Sequence, residues 1–170
     1  DTLIDAALKL KQLNYPIYWN ILGDGRAKNN LEKKIVKLNL TDNFIFKGSF
    51  KSEEMPLFFA CADALIVSLK KSKIFSLTIP AKVQSYLACG RPIIGSIDGE
   101  GARIINDAGA GYVSPSEDVD SLVINIIKLY NLTEEERARF GHNGRTYFER
   151  EFSMEILINK LEKIFTTKGE

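Results

Sequence analysis

The chain reads as a doubly wound α/β domain, a Rossmann-like parallel sheet with helices on both faces. Three observations predict it. Short apolar runs such as Ile17–Leu22, Ala64–Ser68 and Arg91–Ser96 alternate with longer amphipathic segments. Those runs are continuously apolar rather than alternating, the mark of strands covered on both faces. Glycine-bearing turns follow them at Gly23-Asp24-Gly25, Lys47-Gly48-Ser49 and Asp98-Gly99-Glu100-Gly101. In a fold of this class the turns after the strands share one edge of the sheet, and ligands gather there.

Each element has its own signal. Residues 1–13 form an amphipathic helix with Leu3, Ala6, Ala7, Leu10 and Leu13 on one face, capped by Asp1 or Thr2. A helix that opens at residue one predicts a domain cut from a longer protein. Ile17–Leu22 is a buried strand, Asn29–Leu38 a helix with Leu31, Ile35 and Leu38 inward, and Phe44–Phe46 a short strand closed by Lys47-Gly48. Ser52-Glu-Glu-Met-Pro starts a helix through Ala62, a serine cap with acids in the first turn. Strands at Ala64–Ser68, Arg91–Ser96 and Gly111–Val113 follow, with helices at about 100–108, 118–131, 134–149 and 154–166. The 170 residues contain no internal repeat, low-complexity segment or linker and make one domain.

Charge and composition exclude several classes. A net charge of +1 offers no electrostatic attraction for nucleic acid. Neither a polybasic block nor an apolar run of about 20 residues suggests a membrane element in this chain. Cys61 and Cys89 lie far apart in apolar helical contexts and read as buried thiols of a reducing compartment.

The richest segment is Ile79-Pro-Ala-Lys-Val-Gln-Ser-Tyr-Leu-Ala-Cys-Gly-Arg-Pro-Ile-Ile-Gly-Ser96. It predicts a loop, a helix opened by Pro80 and stopped at Gly90, and a buried strand. The helix N-terminus offers free N–H groups and partial positive charge to a phosphate, with Ser76, Thr78 and Lys82 around it. Gly23-Asp-Gly25 is a tight turn or a ligand loop, and without Gly-x-Gly-x-x-Gly it is no dinucleotide fingerprint. Lys70, Lys71 and Lys73 read as a solvated loop before a substrate clamp. Asp98 and Glu100 fit a paired-carboxylate site or simply a helix start. His142, between two late helices in Gly141-His-Asn-Gly144, reads as a surface cap rather than a base. A single His forms no histidine metal cluster, no Asp-x-Asp pair is present to hold a metal on a diphosphate, and no Gly-x-Ser-x-Gly elbow is present.

The succession Ile21-Leu-Gly-Asp-Gly-Arg26, Asn43-Phe-Ile-Phe-Lys-Gly48, Ala60-Cys-Ala-Asp-Ala-Leu-Ile-Val-Ser68 and Tyr86-Leu-Ala-Cys-Gly-Arg-Pro-Ile-Ile94 resembles the C-terminal, donor-binding domain of GT-B glycosyltransferases. More narrowly it resembles the retaining group 1 enzymes that build bacterial surface polysaccharides. The closing segment Arg137–Ser153 is similar to that family's C-terminal helices, so the resemblance covers nearly the whole chain to about residue 165.

The resemblance implies a donor domain for a nucleoside diphosphate sugar, UDP- or GDP-linked. A separate N-terminal domain and the first strand of this one would lie outside the chain. Lys47-Gly48-Ser49 would frame the base, and the amides of Ala81 and Lys82 would meet the diphosphate. Dipoles and cations aimed at that leaving group lower the barrier to transfer. Gly23, Gly25, Arg26, Ser76, Thr78, Ser85 and Glu100 complete the expected binding set, with no residue assigned to catalysis and no metal. The parent enzyme would work in the cytoplasm, or at the inner face of the membrane through its missing half, on a saccharide or lipid-linked acceptor. The isolated domain would transfer nothing. In two respects the chain departs from the family: where two glutamates commonly stand eight residues apart, it carries Leu77 and Ser85, and the basic Arg/Lys pair that usually contacts the diphosphate would lie partly before residue 1. A non-catalytic nucleotide-sugar-binding module and half of a GT-B-like sugar-nucleotide epimerase are the alternatives.

Overall fold

The computed structural model describes residues 1–167. Its elements are α1 (Thr2–Gln12), β1 (Trp19–Leu22), α2 (Lys28–Lys37), β2 (Phe44–Gly48), α3 (Met55–Ala60), β3 (Leu65–Ser68), α4 (Lys73–Ser76), α5 (Ala81–Cys89), β4 (Ile93–Ser96), α6 (Glu100–Asp107), β5 (Gly111–Ser114), α7 (Val119–Tyr130), α8 (Glu134–Glu151) and α9 (Met154–Thr167). All strand pairs are parallel, and the Rossmann-like α/β class holds. Hydrogen bonding divides the strands into two pieces, β1-β2 and β3-β4-β5. Register runs Trp19 to Phe44 in the first piece, then Leu65 to Ile93 and Ile93 to Gly111 in the second.

Two apolar clusters cover the sheet. One joins Ile4, Ala7 and Leu10 of α1 to Trp19, Phe44, Ile94 and the inner face of α7. Because it draws on β1, β2 and β4 together, the two pieces share a core although no ladder joins them. Trp19 and Phe44 stack at 5.8 Å between centroids. The other cluster packs Val83 and Leu87 of α5 and Ile104 and Ile105 of α6 around Val67 and Ile93. Burying one such Leu or Ile contributes about 1.5–3 kcal/mol, so the strands are held chiefly by these faces.

Several local expectations change. Ser52 does not cap a helix: it begins a short 3-10 turn, Ser52–Glu54, and the Lys51 N–H donates to the Glu54 carboxylate instead. Residues 73–76 form one helical turn within the long loop. Cys61 is exposed at the C-terminal end of α3, and only Cys89 is half-buried. His142 is exposed in the middle of α8 and caps nothing. Gly141 and Gly144 do not interrupt α8: a Cβ on Gly141 would lie 2.1 Å from the Gly90 carbonyl oxygen, so the glycine lets two backbones touch. Late in the chain, Leu157, Ile158, Leu161, Ile164 and Phe165 of α9 are exposed.

Candidate functional site

Four loops follow the strands, as the fold class requires, and they form two groups. In the first, Gly23 ends β1 at φ +117° and its N–H donates 2.7 Å to the Gly48 carbonyl. Gly48 is itself at φ +76°, a region that suits glycine because it lacks a Cβ. The turns after β1 and β2 are thereby tied together, carrying Gly25, Arg26, Lys47 and Ser49 on an exposed rim with Gly48 half-buried between them. Asp24 is engaged by Lys28 at 2.7 Å.

The second group surrounds the start of α5. Pro80 is the residue that caps α5, in extended backbone (φ −62°, ψ 132°), and Ala81 is its first helical residue. Proline sets the entry angle here without losing a helical hydrogen bond. The Pro80 carbonyl accepts from the Val83 N–H. No side chain caps this end, which leaves the Ala81 and Lys82 N–H groups at the positive end of the helix dipole. Both residues are exposed. Gly90 closes α5 in the left-handed conformation, as the sequence predicts.

Steric contact pins this end of α5 to the start of α6. A Cβ on Gly99 would fall 1.9 Å from the Ser76 carbonyl oxygen, and one on Gly101 would meet Pro80 Cδ at 3.0 Å and Ile97 Cδ1 at 2.8 Å. Gly99 also has φ +69°. These two glycines bring residues 76–80 against residues 99–101, a role visible in sequence only as a Gly-x-Gly at a strand–helix junction.

The polar side chains are largely turned to their own backbone. Ser76 donates to the Lys73 carbonyl at 2.9 Å, Thr78 to Phe75 at 3.3 Å and Ser85 to Ala81 at 3.2 Å. Each hydroxyl keeps its lone pairs, and its O–H can rotate toward a ligand. Glu100 is bridged by Arg103 at 2.7 Å, and that hydrogen bond, with the guanidinium charge, holds its carboxyl below the usual glutamate range. Arg103 also reaches Asp107 at 2.7 Å. Asp98 accepts from the Ser116 N–H at 3.2 Å and so ties the loops after β4 and β5 together. Asp98 and Glu100 therefore have separate structural partners rather than each other, and the helix-start reading of Glu100 accounts for its ion pair. Leu77 is exposed on the loop, beside exposed Ile74 and Phe75.

A cavity of about 250 Å³ is lined by residues of α1, β1, α2 and β2, by Ser68, Leu69 and Lys70 at the end of β3, and by Glu117. None of the sequence-predicted site residues lines it. Among the described residues no His/Cys/Asp/Glu group has the arrangement of a metal site, and no helix is long and apolar enough to cross a membrane.

Comparison with known proteins adds to this geometry. The family model described as Glycosyl transferases group 1 matches residues 1–147. The O-antigen chain mannosyltransferase C of Escherichia coli is 28% identical over 167 residues, covering 97% of this chain and 42% of that protein. The GDP-mannose-dependent monoacylated alpha-(1-6)-phosphatidylinositol monomannoside mannosyltransferase of Corynebacterium glutamicum is 28% identical, covering 99% and 44%. Among solved structures, a mutant of S. aureus TarM crystallised with UDP superposes with a TM-score of 0.80 at 22% identity, over 97% of this chain and 32% of that one. The chain thus spans less than half the length of these relatives.

Proposed function

The chain belongs to the glycosyl transferases group 1 family, and on that premise we propose that it is the donor-binding domain of a retaining GT-B glycosyltransferase. The donor is a nucleoside diphosphate sugar. Its diphosphate meets the uncapped amides of Ala81 and Lys82 and the Lys82 ammonium. Its base lies against Lys47, Gly48 and Ser49, on the rim that includes Gly23, Gly25 and Arg26. Ser76, Thr78 and Ser85 supply hydroxyl contacts, and Glu100, held by Arg103, borders the sugar side.

One observation carries the proposal: an uncapped helix start beside a lysine, clamped at the strand C-terminal edge by the Gly99–Ser76 contact. Such a start holds anionic phosphate before reaction and stabilises the charge that grows on it as the glycosidic bond to the leaving diphosphate breaks. The names of relatives support the two donor types, since one is described as GDP-mannose-dependent and another was crystallised with UDP. In the whole enzyme the acceptor, a saccharide or lipid-linked saccharide, is bound by a second domain, and any association with the inner membrane face comes from that part. This chain alone binds and does not transfer.

Exposed Leu77 and the self-bonded Ser85 favour a second reading, a module that binds the nucleotide sugar without supporting transfer. Titration with UDP, GDP, ADP and CMP, followed through backbone amide shifts by NMR, tests the binding site common to both. Shifts confined to residues 47–50 and 76–85, with one preferred base, are expected. A saturating shift map elsewhere on the molecule overturns the site. Transfer assays on the full-length enzyme then separate an enzyme from a module.

A further inference from the structure

We infer that Glu117 is a positioning residue for the donor site: its carboxylate anchors the loop between β3 and α5, which brings Ser76 and Thr78 to the start of α5. The inference rests on the donor reading of that loop.

The backbone marks Glu117 first. Among the described residues, three that are not glycine have a positive φ: Asn14 at 61°, Asn39 at 54° and Glu117 at 65°. Asn14 and Asn39 follow the ends of α1 and α2, where asparagine is a common left-handed stop. Glutamate has no such compensation. Its Cβ crowds the following carbonyl, and its side chain is too long to bond its own turn as asparagine does. Glycine would take this conformation freely. The glutamate supplies reach instead. The Lys71 N–H donates to Glu117 Oε2 at 3.2 Å.

That bond bridges two loops on opposite sides of β4. Ser68, Ser96 and Ser114 end β3, β4 and β5 in register, and Lys71 and Glu117 lie just past the two outer strands. With neighbouring strands about 4.8 Å apart, the Glu117 side chain crosses over the end of β4 rather than joining adjacent turns. Its own base is fixed. The Ser116 N–H donates to Asp98 at 3.2 Å, and Ser116 is buried. Asp118 caps α7 by accepting from the Ser121 N–H at 3.0 Å. The left-handed turn at Glu117 lies between these two fixed points.

Lys71 leads directly into the site. Ser72 precedes α4, whose single turn ends at Ser76 and has no side-chain cap. The Ser76 carbonyl is the group that packs against Gly99. Exposed Ile74, Phe75 and Leu77 contribute little burial to hold the turn, and four residues are too few for a helix to stand alone. Two tethers therefore set where α4 lies relative to the start of α5: Glu117 through Lys71, and Gly99 through Ser76.

Three variants separate the anchor from the fold. Glu117→Gln keeps a side-chain acceptor and the strained backbone, Glu117→Ala keeps only the strain, and Glu117→Gly removes both. The urea midpoint should be higher for Glu117→Gly than for Glu117→Ala, and binding should not follow it. In calorimetric titrations with UDP and with GDP, Glu117→Ala and Glu117→Gly should both bind about three- to tenfold more weakly than the parent, because the ligand must then order a released loop. Glu117→Gln should stay within about twofold. Amide exchange at Lys71 should quicken about fivefold or more in Glu117→Ala and Glu117→Gly but not in Glu117→Gln. Parent-like binding by Glu117→Gly, affinities that track the urea midpoints, or Lys71 exchange that is the same in all three variants overturns the positioning role. A parent that binds neither UDP nor GDP overturns the donor reading and this role with it. A parent that binds, with variants that bind equally well, overturns the Glu117 inference alone.

Discussion

Replacing Gly141 by alanine tests whether α5 is held where the fold requires it. A Cβ there would lie 2.1 Å from the Gly90 carbonyl oxygen and 2.7 Å from its carbon, against an ordinary contact of 3.4 Å or more, so the backbones must separate by about 1.3 Å (3.4 − 2.1). Alanine in a helix interior gains about 1 kcal/mol over glycine. Overpacking against rigid backbone costs about 1–3 kcal/mol. Separation also strains the bond from Arg145 to the Ala88 carbonyl, 2.6 Å long, which contributes about 1 kcal/mol. The net is a loss of about 2 kcal/mol, or about 4–8 °C in Tm for a chain of this size. Urea and thermal unfolding followed by circular dichroism measure it. Gly144→Ala is the control: its Cβ meets Ala110 Cβ and Leu87 Cδ2 at 3.2 Å, only a few tenths of an ångström inside ordinary contact, so its effect is smaller, about 1 kcal/mol. A Gly141→Ala protein as stable as the parent, or more stable by the helix-propensity gain, refutes the close approach of α8 to the end of α5.

Three further outcomes follow from the site and the caps. Gly99→Ala, which sets a Cβ on the Ser76 carbonyl, should raise the Kd for the preferred nucleoside diphosphate about tenfold or more by calorimetry, while Gly25→Ala, with open space around its Cβ, should alter it less. Lys82→Ala should weaken the same binding by about 1–2 kcal/mol and flatten its salt dependence; unchanged affinity at low salt would remove Lys82 from the site. Thr133→Ala should cost about 1 kcal/mol by removing the N-cap of α8, where the Thr133 hydroxyl accepts from the Glu136 N–H. Hydrogen bonds from the Thr133 N–H and hydroxyl hold the Glu136 carboxyl below the usual range, so the capping box contributes fully above about pH 5 and is lost as pH falls below about 4. Urea midpoints of Glu136→Gln and parent proteins should therefore converge on acidification. A gap between them that widens as pH falls contradicts the assignment.

Local chemistry was legible in the sequence wherever it follows from neighbours along the chain. Continuous apolar runs identified the parallel strands, and Pro80 and Gly90 bracketed α5 because their allowed backbone angles are intrinsic. The resemblance to group 1 glycosyltransferases followed from the same runs and is shown by the family match. Features that depend on chain segments far apart in sequence were not legible. Nothing in the neighbours of Gly141 along the chain showed that it lets α8 touch the backbone of Gly90. The Ser52 signal matched a cap locally, but the chain tightens into a 3-10 turn before α3, and Glu54 takes the Lys51 amide.

The sequence by itself determined the fold class and family, and the segments bearing the candidate phosphate seat, because propensity, periodicity and local turn chemistry act over a few residues. Only the tertiary structure decided that Gly99 and Gly101 clamp the start of α5, that Glu100 belongs to Arg103, and that the strands hydrogen-bond as two separate pieces, β1-β2 and β3-β4-β5. Those outcomes depend on excluded volume and on pairing between distant backbones, which exist only once the layers have packed.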